Sequence, residues 1–346
     1  MSAVRFTPLT LVNGLTLKNR VVVPPMASQT ADNNGLATEK TFRHYQGLAQ
    51  SGAGLVMVEY SHVNLAGRSE ANQLGAHDDA CLPGLSQIAK LLHQMDVKTG
   101  LQITHCGGKD SAAISTDIMG PSGIVVPAYD RVLPTPRAMT QDDIARWQQD
   151  FVNSAIRADK AGFDLVEIHC AHGYGINQWL SPLTNQRTDQ YGGSVKNRAR
   201  ILLEMVSQIK QAAPRLAIMT RIPGQDGYPG GLSHSDMGQV SHWLVDAGVE
   251  ILNVSSGIGG WNRPKDIRGE GFLVADAAPL TGKTAAAVIG VGGIETLDYI
   301  ETILTNKQVD LVAVGRAILA GPTDFATRVM VNNLSECKVH HGSTSQ

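Results

Sequence analysis

Phe163-Asp164-Leu165-Val166-Glu167-Ile168-His169-Cys170-Ala171-His172-Gly173-Tyr174 is the stretch from which the fold is read. Its first half alternates apolar and acidic residues and then turns β-branched, the pattern of a buried strand. Gly173 and Gly175 then loosen the backbone into a loop, and from Ser194 onward apolar residues recur at helical spacing. His169 and His172 are three residues apart, so on a continuing strand they would face opposite sides; only a turn between them lets both address one ligand. Two imidazoles aimed at one oxygen, with the Tyr174 phenol nearby, can polarise a carbonyl and supply a proton.

Outward from that unit the same alternation repeats. Arg20-Val21-Val22-Val23-Pro24-Pro25 reads as a strand stopped by prolines, and further strands are expected at Gly54–Glu59, Thr99–Thr104, Leu216–Ile222, Val249–Val254, Ala286–Val291 and Val309–Gly315. Helices are expected between them at Glu39–Ser51, Leu82–Lys98, Gln141–Ala161, Ser194–Ala213, Asp236–Ala247, less distinctly Leu273–Thr281, and Glu295–Asn306, with a last one at Asp324–Leu334. Thr140 with Asp143 and Ser233 with Asp236 form capping pairs at two of the starts. Eight short apolar strands, each followed by a helix, fit an α/β fold of the (β/α)8 TIM barrel type. Asn13-Gly14 between apolar residues marks a two-residue hairpin that would close the barrel underneath. A doubly wound sheet would need Gly-x-Gly-x-x-Gly after the first strand, and Val22 to Thr30 contains none. Cys106 to Met139 lacks periodicity and reads as a long excursion over the barrel mouth after the third strand. Residues 1–335 are thus expected to form a single domain, and residues 336–346 a polar tail.

Composition narrows the function. The 346 residues are 42% hydrophobic with a formal net charge of −2, so no excess charge attracts nucleic acid or an anionic membrane. Apolar runs such as Leu55 to Val58 are far too short to span a bilayer, and no secretory leader is read. The four cysteines form no C-x-x-C, which points to reduced thiols and a cytoplasmic location.

Barrels of this type carry their sites at the C-terminal ends of the strands. There the sequence places Met26, Ala27, Ser28 and Gln29; Glu59 and Tyr60; Gln102 and His105; His169, His172 and Tyr174; Arg221; Ser255 and Ser256; Gly292 and Gly293; and Gly315 and Arg316. The last four suit a phosphate site, with backbone N–H groups freed by Gly292 and Gly293 and a charge-assisted bond from Arg316. The same glycines also suit mere tight strand-to-helix turns. Arg221, emerging from an apolar strand, needs an anion; Glu59 and Glu167 are the alternatives to a ligand. For the histidine pair, metal binding with Cys170 and His105, or simple satisfaction by neighbouring carbonyls, remain the competing readings.

His169 through Tyr174, followed by Leu180-Ser181-Pro182-Leu183-Thr184-Asn185-Gln186-Arg187-Thr188-Asp189-Gln190-Tyr191-Gly192-Gly193-Ser194-Val195-Lys196-Asn197-Arg198-Ala199-Arg200, resembles the signature of the old yellow enzyme family of FMN-dependent ene reductases. The resemblance spans nearly the whole barrel, through Asn19-Arg20, Pro25-Met26, Gln102, Arg221, Gly292-Gly293 and Gly315-Arg316. It implies an FMN-binding barrel in which Pro25, Met26 and Ala27 touch one edge of the ring, Tyr60 lies close by, and Gln102 and Arg221 bond its pyrimidine side. The phosphate would rest on Gly292, Gly293, Gly315 and Arg316. His169 and His172 would bind a carbonyl or nitro oxygen, NADPH or NADH would reduce the flavin, hydride would pass from flavin N5 to the β-carbon, and Tyr174 would protonate the α-carbon. Substrates of this kind are small: an enone, an enal, a maleimide or a nitro compound.

Four positions depart from that pattern. Ala27 stands where Cys or Thr is usual, Gln29 where one subclass has a Tyr, Tyr60 where a small residue is usual, and Gly108 within His-x-Gly-Arg. Substrate range and assembly are therefore not carried over, and homo-oligomerisation stays open. Competing functions are a dienoyl-thioester reductase, a flavin barrel that isomerises or senses without net reduction, and a flavin-free aldolase, for which Lys109 is an isolated candidate.

Overall fold

Val21, Val22 and Val23 are all buried because neighbouring side chains on a barrel strand enter different cores. Val22 joins an interior cluster with Leu55, Met57, Leu165, Met219, Ile251, Ile289 and Leu311. Val21 and Val23 pack outward with Val56, Val58, Val166 and Ile218 beneath the helices. The computed structural model describes residues 3–110, 114, 115, 117–129, 131–261 and 268–331. In it β3 (Val21–Val23), β4 (Leu55–His62), β5 (Lys98–Thr104), β8 (Leu165–His169), β9 (Ala217–Pro223), β10 (Ile251–Ser255), β11 (Ala287–Gly290) and β12 (Leu311–Ala313) close into one parallel barrel. The ring closes where Val312 and Ala313 pair with Val21 and Val22. This is the (β/α)8 barrel expected from the alternation.

The N-terminal hairpin, β1 (Leu9–Thr10) with β2 (Thr16–Leu17), lies beneath it: Leu9, Leu11, Leu15 and Leu17 pack into the interior cluster. The Asn13 N–H donates to Glu250 at the foot of β10. Its turn departs from expectation. Leu9 pairs with Leu17 and Leu11 N–H donates to Leu15 O, which makes a three-residue loop with Gly14 at φ 91°. A two-residue Asn-Gly turn would put Leu9 and Leu17 on opposite faces; the longer turn keeps all four leucines in the barrel.

The helices α1 (Glu39–Ala49), α2 (Leu82–Gln94), α3 (Gln141–Ala161), α5 (Val195–Ala212), α6 (His234–Asp246) and α8 (Leu297–Thr305) lie where expected, within a few residues. Both capping pairs are formed at α3 and α6. The expectation for α2 ran too far: Asp96 turns left-handed at φ 56°, and Lys98 already belongs to β5. The indistinct helix at Leu273–Thr281 shrinks to α7 (Val274–Ala277) and a 3-10 turn. Two short helices, α4 (Gly175–Leu180) and α9 (Arg316–Ala320), were not expected, since each is too short for a 3.6-residue period to show. The last helix, α10 (Pro322–Val329), starts earlier because Pro322 serves at its first turn. Expectations for 332–334 and the 336–346 tail lie outside the described residues.

The excursion is tied together by one short ladder, β6 (Met119–Gly120) paired with β7 (Arg137–Ala138), and Val126 and Leu133 pack with Ile258. Among the described residues no helix is long and apolar enough to cross a membrane.

Candidate active site

Strand β8 ends at His169, and the chain then turns sharply. Cys170 N–H donates to Arg221 O, His172 N–H to Ser256 O and Gly175 N–H to His105 O. Between them His172 and Gly173 adopt the left-handed region, φ 62° and 74°. That is the turn the three-residue spacing demanded, and a β-strand geometry could not supply it. Its result is that the His169 and His172 rings stand 5.0 Å apart at 90°, with the Tyr174 ring 5.0 Å from His169. Burial, reinforced by Arg221 and Lys109, holds the His169 imidazole far below its ordinary pKa, so the ring is neutral. Burial pushes Tyr174 up to about 12, so the phenol keeps its proton at neutral pH.

Below the histidines lies a polar layer inside the barrel. Glu167 accepts from Gln102 Nε2 at 2.7 Å and from Asn253 Nδ2 at 2.8 Å. Burial raises its carboxyl to about 7, against the pull of Arg221. Of the two carboxylates open to Arg221, it is Glu167 that faces it; Glu59 instead accepts from Ser28 N and from the Tyr45 hydroxyl. Arg221 Nη2 donates to Ser255 Oγ at 3.3 Å, and that hydroxyl lies 2.7 Å from His172 Nε2. Arg221 Nε is buried and has no partner among the described residues.

Tyr60 reaches the mouth through a bulge: the β4–β5 register shifts between Val58 and Ser61. Its ring lies 5.6 Å from that of Tyr174. At the first strand's end Pro25 and Met26 are half-buried and Ala27 is exposed, with Met26 Sδ against Gly315. At the last two strands Gly292 and Gly293 are left-handed, φ 120° and 66°, and a Cβ on Gly293 would come within 3.2 Å of Arg316 Nη2. So Gly293, Gly315 and the exposed Arg316 form one cradle that side chains would fill.

These residues fit FMN. The partnerless Nε of Arg221 and the Gln102 amide, whose nitrogen is already turned to Glu167, offer a donor and an acceptor for a polar ring edge. Gly292, Gly293 and Arg316 offer space and positive charge for a phosphate. The metal alternative loses its further ligand: His105 packs edge-on against Trp147 at 5.4 Å. Among the described residues no group of three His, Cys, Asp or Glu could hold a metal ion.

Sequence reasoning missed three contributors. Lys109 donates to His172 O and sits 5.0 Å over the Tyr174 ring, but it lies in an aperiodic stretch where no spacing aims it. Ser255 was placed at the rim without a role. Asp226, fully buried, accepts from Ser181 Oγ, Leu232 N and Ile258 N at 2.6–3.0 Å and from Asn177 Nδ2 at 3.5 Å. Asn177 Oδ1 in turn accepts from Gly173 N.

Residues 5–334 match the family model described as NADH:flavin oxidoreductase / NADH oxidase. The chain is 37% identical over 318 residues to an NADPH dehydrogenase of Bacillus pumilus (strain SAFR-032), covering 92% of this chain and 91% of that protein. A 2-naphthoyl-CoA reductase complex superposes with a TM-score of 0.86 at 21% identity over 93% of this chain, which spans about half of it, 51%. An old yellow enzyme homologue from Zymomonas mobilis gives a TM-score of 0.78 at 23% identity, covering 92% of this chain and 90% of its own.

Proposed function

The chain belongs to the NADH:flavin oxidoreductase / NADH oxidase family, with FMN and NAD(P)H as its cofactors, and on that premise we propose that it reduces the activated C=C bond of α,β-unsaturated carbonyl or nitro compounds. The observation that carries this is the perpendicular His169–His172 pair with a protonated phenol 5.0 Å from the first ring. Bound FMN, once reduced by NAD(P)H, supplies the hydride. The protein does the rest. Arg221 and Gln102 hold the pyrimidine edge of the ring, and Arg221 offsets negative charge there. Pro25, Met26, Ala27 and Tyr60 wall its other edges, while Gly292, Gly293, Gly315 and Arg316 hold the phosphate. His169 and His172 donate to the substrate oxygen and stabilise the charge that grows on it during reduction. Tyr174 gives its proton to the α-carbon; a phenol held near 12 remains a donor across the physiological range.

The test is direct. The yellow holoprotein is bleached anaerobically with NADPH and mixed with 2-cyclohexen-1-one. Reoxidation with loss of the enone chromophore is expected. A flavin that stays bleached would leave only a non-reductive or sensing role.

A further inference from the structure

We propose that Tyr60 sets the shape of substrate that this site accepts: its ring walls the pocket at the α-carbon, so that an enone bearing hydrogen there is reduced in preference to one bearing an alkyl group. The proposal rests on the reading of Tyr174 as the proton donor and adds the specificity that this placement imposes.

The wall is built by the β4 bulge. Val56 and Val58 face the outer core and Met57 the barrel interior, so strict alternation would send Glu59 inward and Tyr60 outward. The register shift reverses this: Glu59 bonds Tyr45 and Ser28, and the Tyr60 ring comes to lie 5.6 Å from that of Tyr174, tilted by 48°. Among the described residues Tyr174 is the ring that Tyr60 meets; the two histidines meet each other at 5.0 Å, and His169 meets Tyr174. Tyr60 therefore flanks the proton donor on a side that the histidines leave open.

The ring has little room to give. Tyr60 is 7% exposed, its carbonyl accepts from Gln73 Nε2 at 2.7 Å, and its hydroxyl lies 3.4 Å from Ser69 Oγ. Gln73, itself buried, also accepts from Ser69 N at 2.8 Å, so one amide ties the strand that carries the ring to the loop that meets its hydroxyl. A ring packed in this way cannot step aside for an added methyl without strain. Positions at the end of the first strand add no comparable bulk: Ala27 ends in a methyl, and Gln29 is exposed with its amide on Glu70.

The reaction places the substrate against this wall. Its oxygen is held by His169 and His172, and its α-carbon must come within reach of Tyr174 Oη to take the proton. Lys109 covers the face of the Tyr174 ring at 5.0 Å. A group on the α-carbon projects away from the oxygen that the histidines hold, and on that side of Tyr174 stands Tyr60. A group on the β-carbon starts one bond farther from Tyr174 and is spared.

The experiment uses the FMN-loaded enzyme, bleached with NADPH and mixed with 2-cyclohexen-1-one, its 2-methyl derivative or its 3-methyl derivative. The second-order rate constant of flavin reoxidation is measured for each. Wild type is expected to favour the unsubstituted enone over the 2-methyl one. Tyr60→Ala is expected to narrow that ratio by roughly 10–200-fold, the range for one carbon in a packed pocket, and comparing the two enzymes cancels the enones' intrinsic reactivities. The ratio for the 3-methyl enone should move far less. Tyr60→Phe, which keeps the ring, should keep the wild-type ratios, and Tyr60→Leu carries the test if Tyr60→Ala loses FMN. Ratios that the smaller side chain leaves as in wild type overturn the wall. So does an equal narrowing for both methyl enones, which would be a general loosening of the site, and so does a Tyr60→Phe enzyme that behaves as Tyr60→Ala. A reduced wild-type flavin that none of the three enones reoxidises instead removes the ene-reductase reading itself.

Discussion

Removing the Asp226 carboxylate should loosen the active-site turn from a distance. The side chain is 0% exposed and gathers two backbone N–H groups, from Leu232 and Ile258, together with the Ser181 hydroxyl at 2.6–3.0 Å. Asp226→Ala leaves these donors buried without an acceptor. At about 1–3 kcal/mol for each stranded group, the expected loss is about 3–5 kcal/mol, part of it recovered by relaxation. In a chain of this size that corresponds to a fall of roughly 5–10 °C in Tm. Asp226→Asn keeps the shape and one acceptor oxygen and should fall between the two. The loss also has a functional signature. Asp226 steadies Asn177, and Asn177 Oδ1 holds the Gly173 N–H between His172 and Tyr174. Reoxidation by enone should therefore slow more than reduction by NADPH. Thermal unfolding of the holoprotein, followed by circular dichroism, and stopped-flow measurement of both half-reactions check this. An Asp226→Ala protein that melts within 2 °C of wild type would refute the view that this carboxylate organises the rim.

Three further outcomes are expected. Tyr174→Phe should slow flavin reoxidation by 2-cyclohexen-1-one by roughly 10²–10⁴-fold in single-turnover measurements, with bleaching by NADPH retained. Arg316→Ala should weaken FMN by roughly 10–150-fold, the equivalent of about 1.5–3 kcal/mol for one charge-assisted bond, while riboflavin, which lacks the phosphate, binds as before in fluorescence titration. Glu167 should make the flavin-free protein less stable as pH rises. Its folded pKa, about 7, lies above the ordinary 4.5, so between those values the unfolded chain sheds a proton that the folded one keeps. Urea unfolding at pH 5 and pH 7.5 should show a drop of about 2.4 kcal/mol in wild type beyond any drop in Glu167→Gln. Equal drops would show that the carboxyl does not titrate in this way.

Much of this was legible in the residues alone. Barrel strands are buried on both faces and the helices on one, so hydrophobic periodicity reports both, and Gly293 and Arg316 are locatable because strand ends are. Elements of five or six residues, such as α4 and α9, escape because they are about one turn long, and α7, four residues, showed only as an indistinct helix. The hairpin at Asn13-Gly14 was visible, but its loop length was set by the need to send four leucines into the barrel, which is a property of the closed fold.

The site divides along the same line. The order and spacing of His169, His172 and Tyr174 required a turn, and the structure contains it, with His172 at φ 62°. Which carboxylate answers Arg221, by contrast, depended on the register that sets Gln102 opposite Glu167 and His169 opposite Arg221, and on the β4 bulge that withdraws Glu59. Lys109 over Tyr174 and Asp226 behind Asn177 join residues 65 and 49 positions apart. Local pattern determines which residues reach the rim, because period and burial are local properties. Partners across the barrel are decided only when the ring closes, because closure alone brings distant strands within reach of a hydrogen bond.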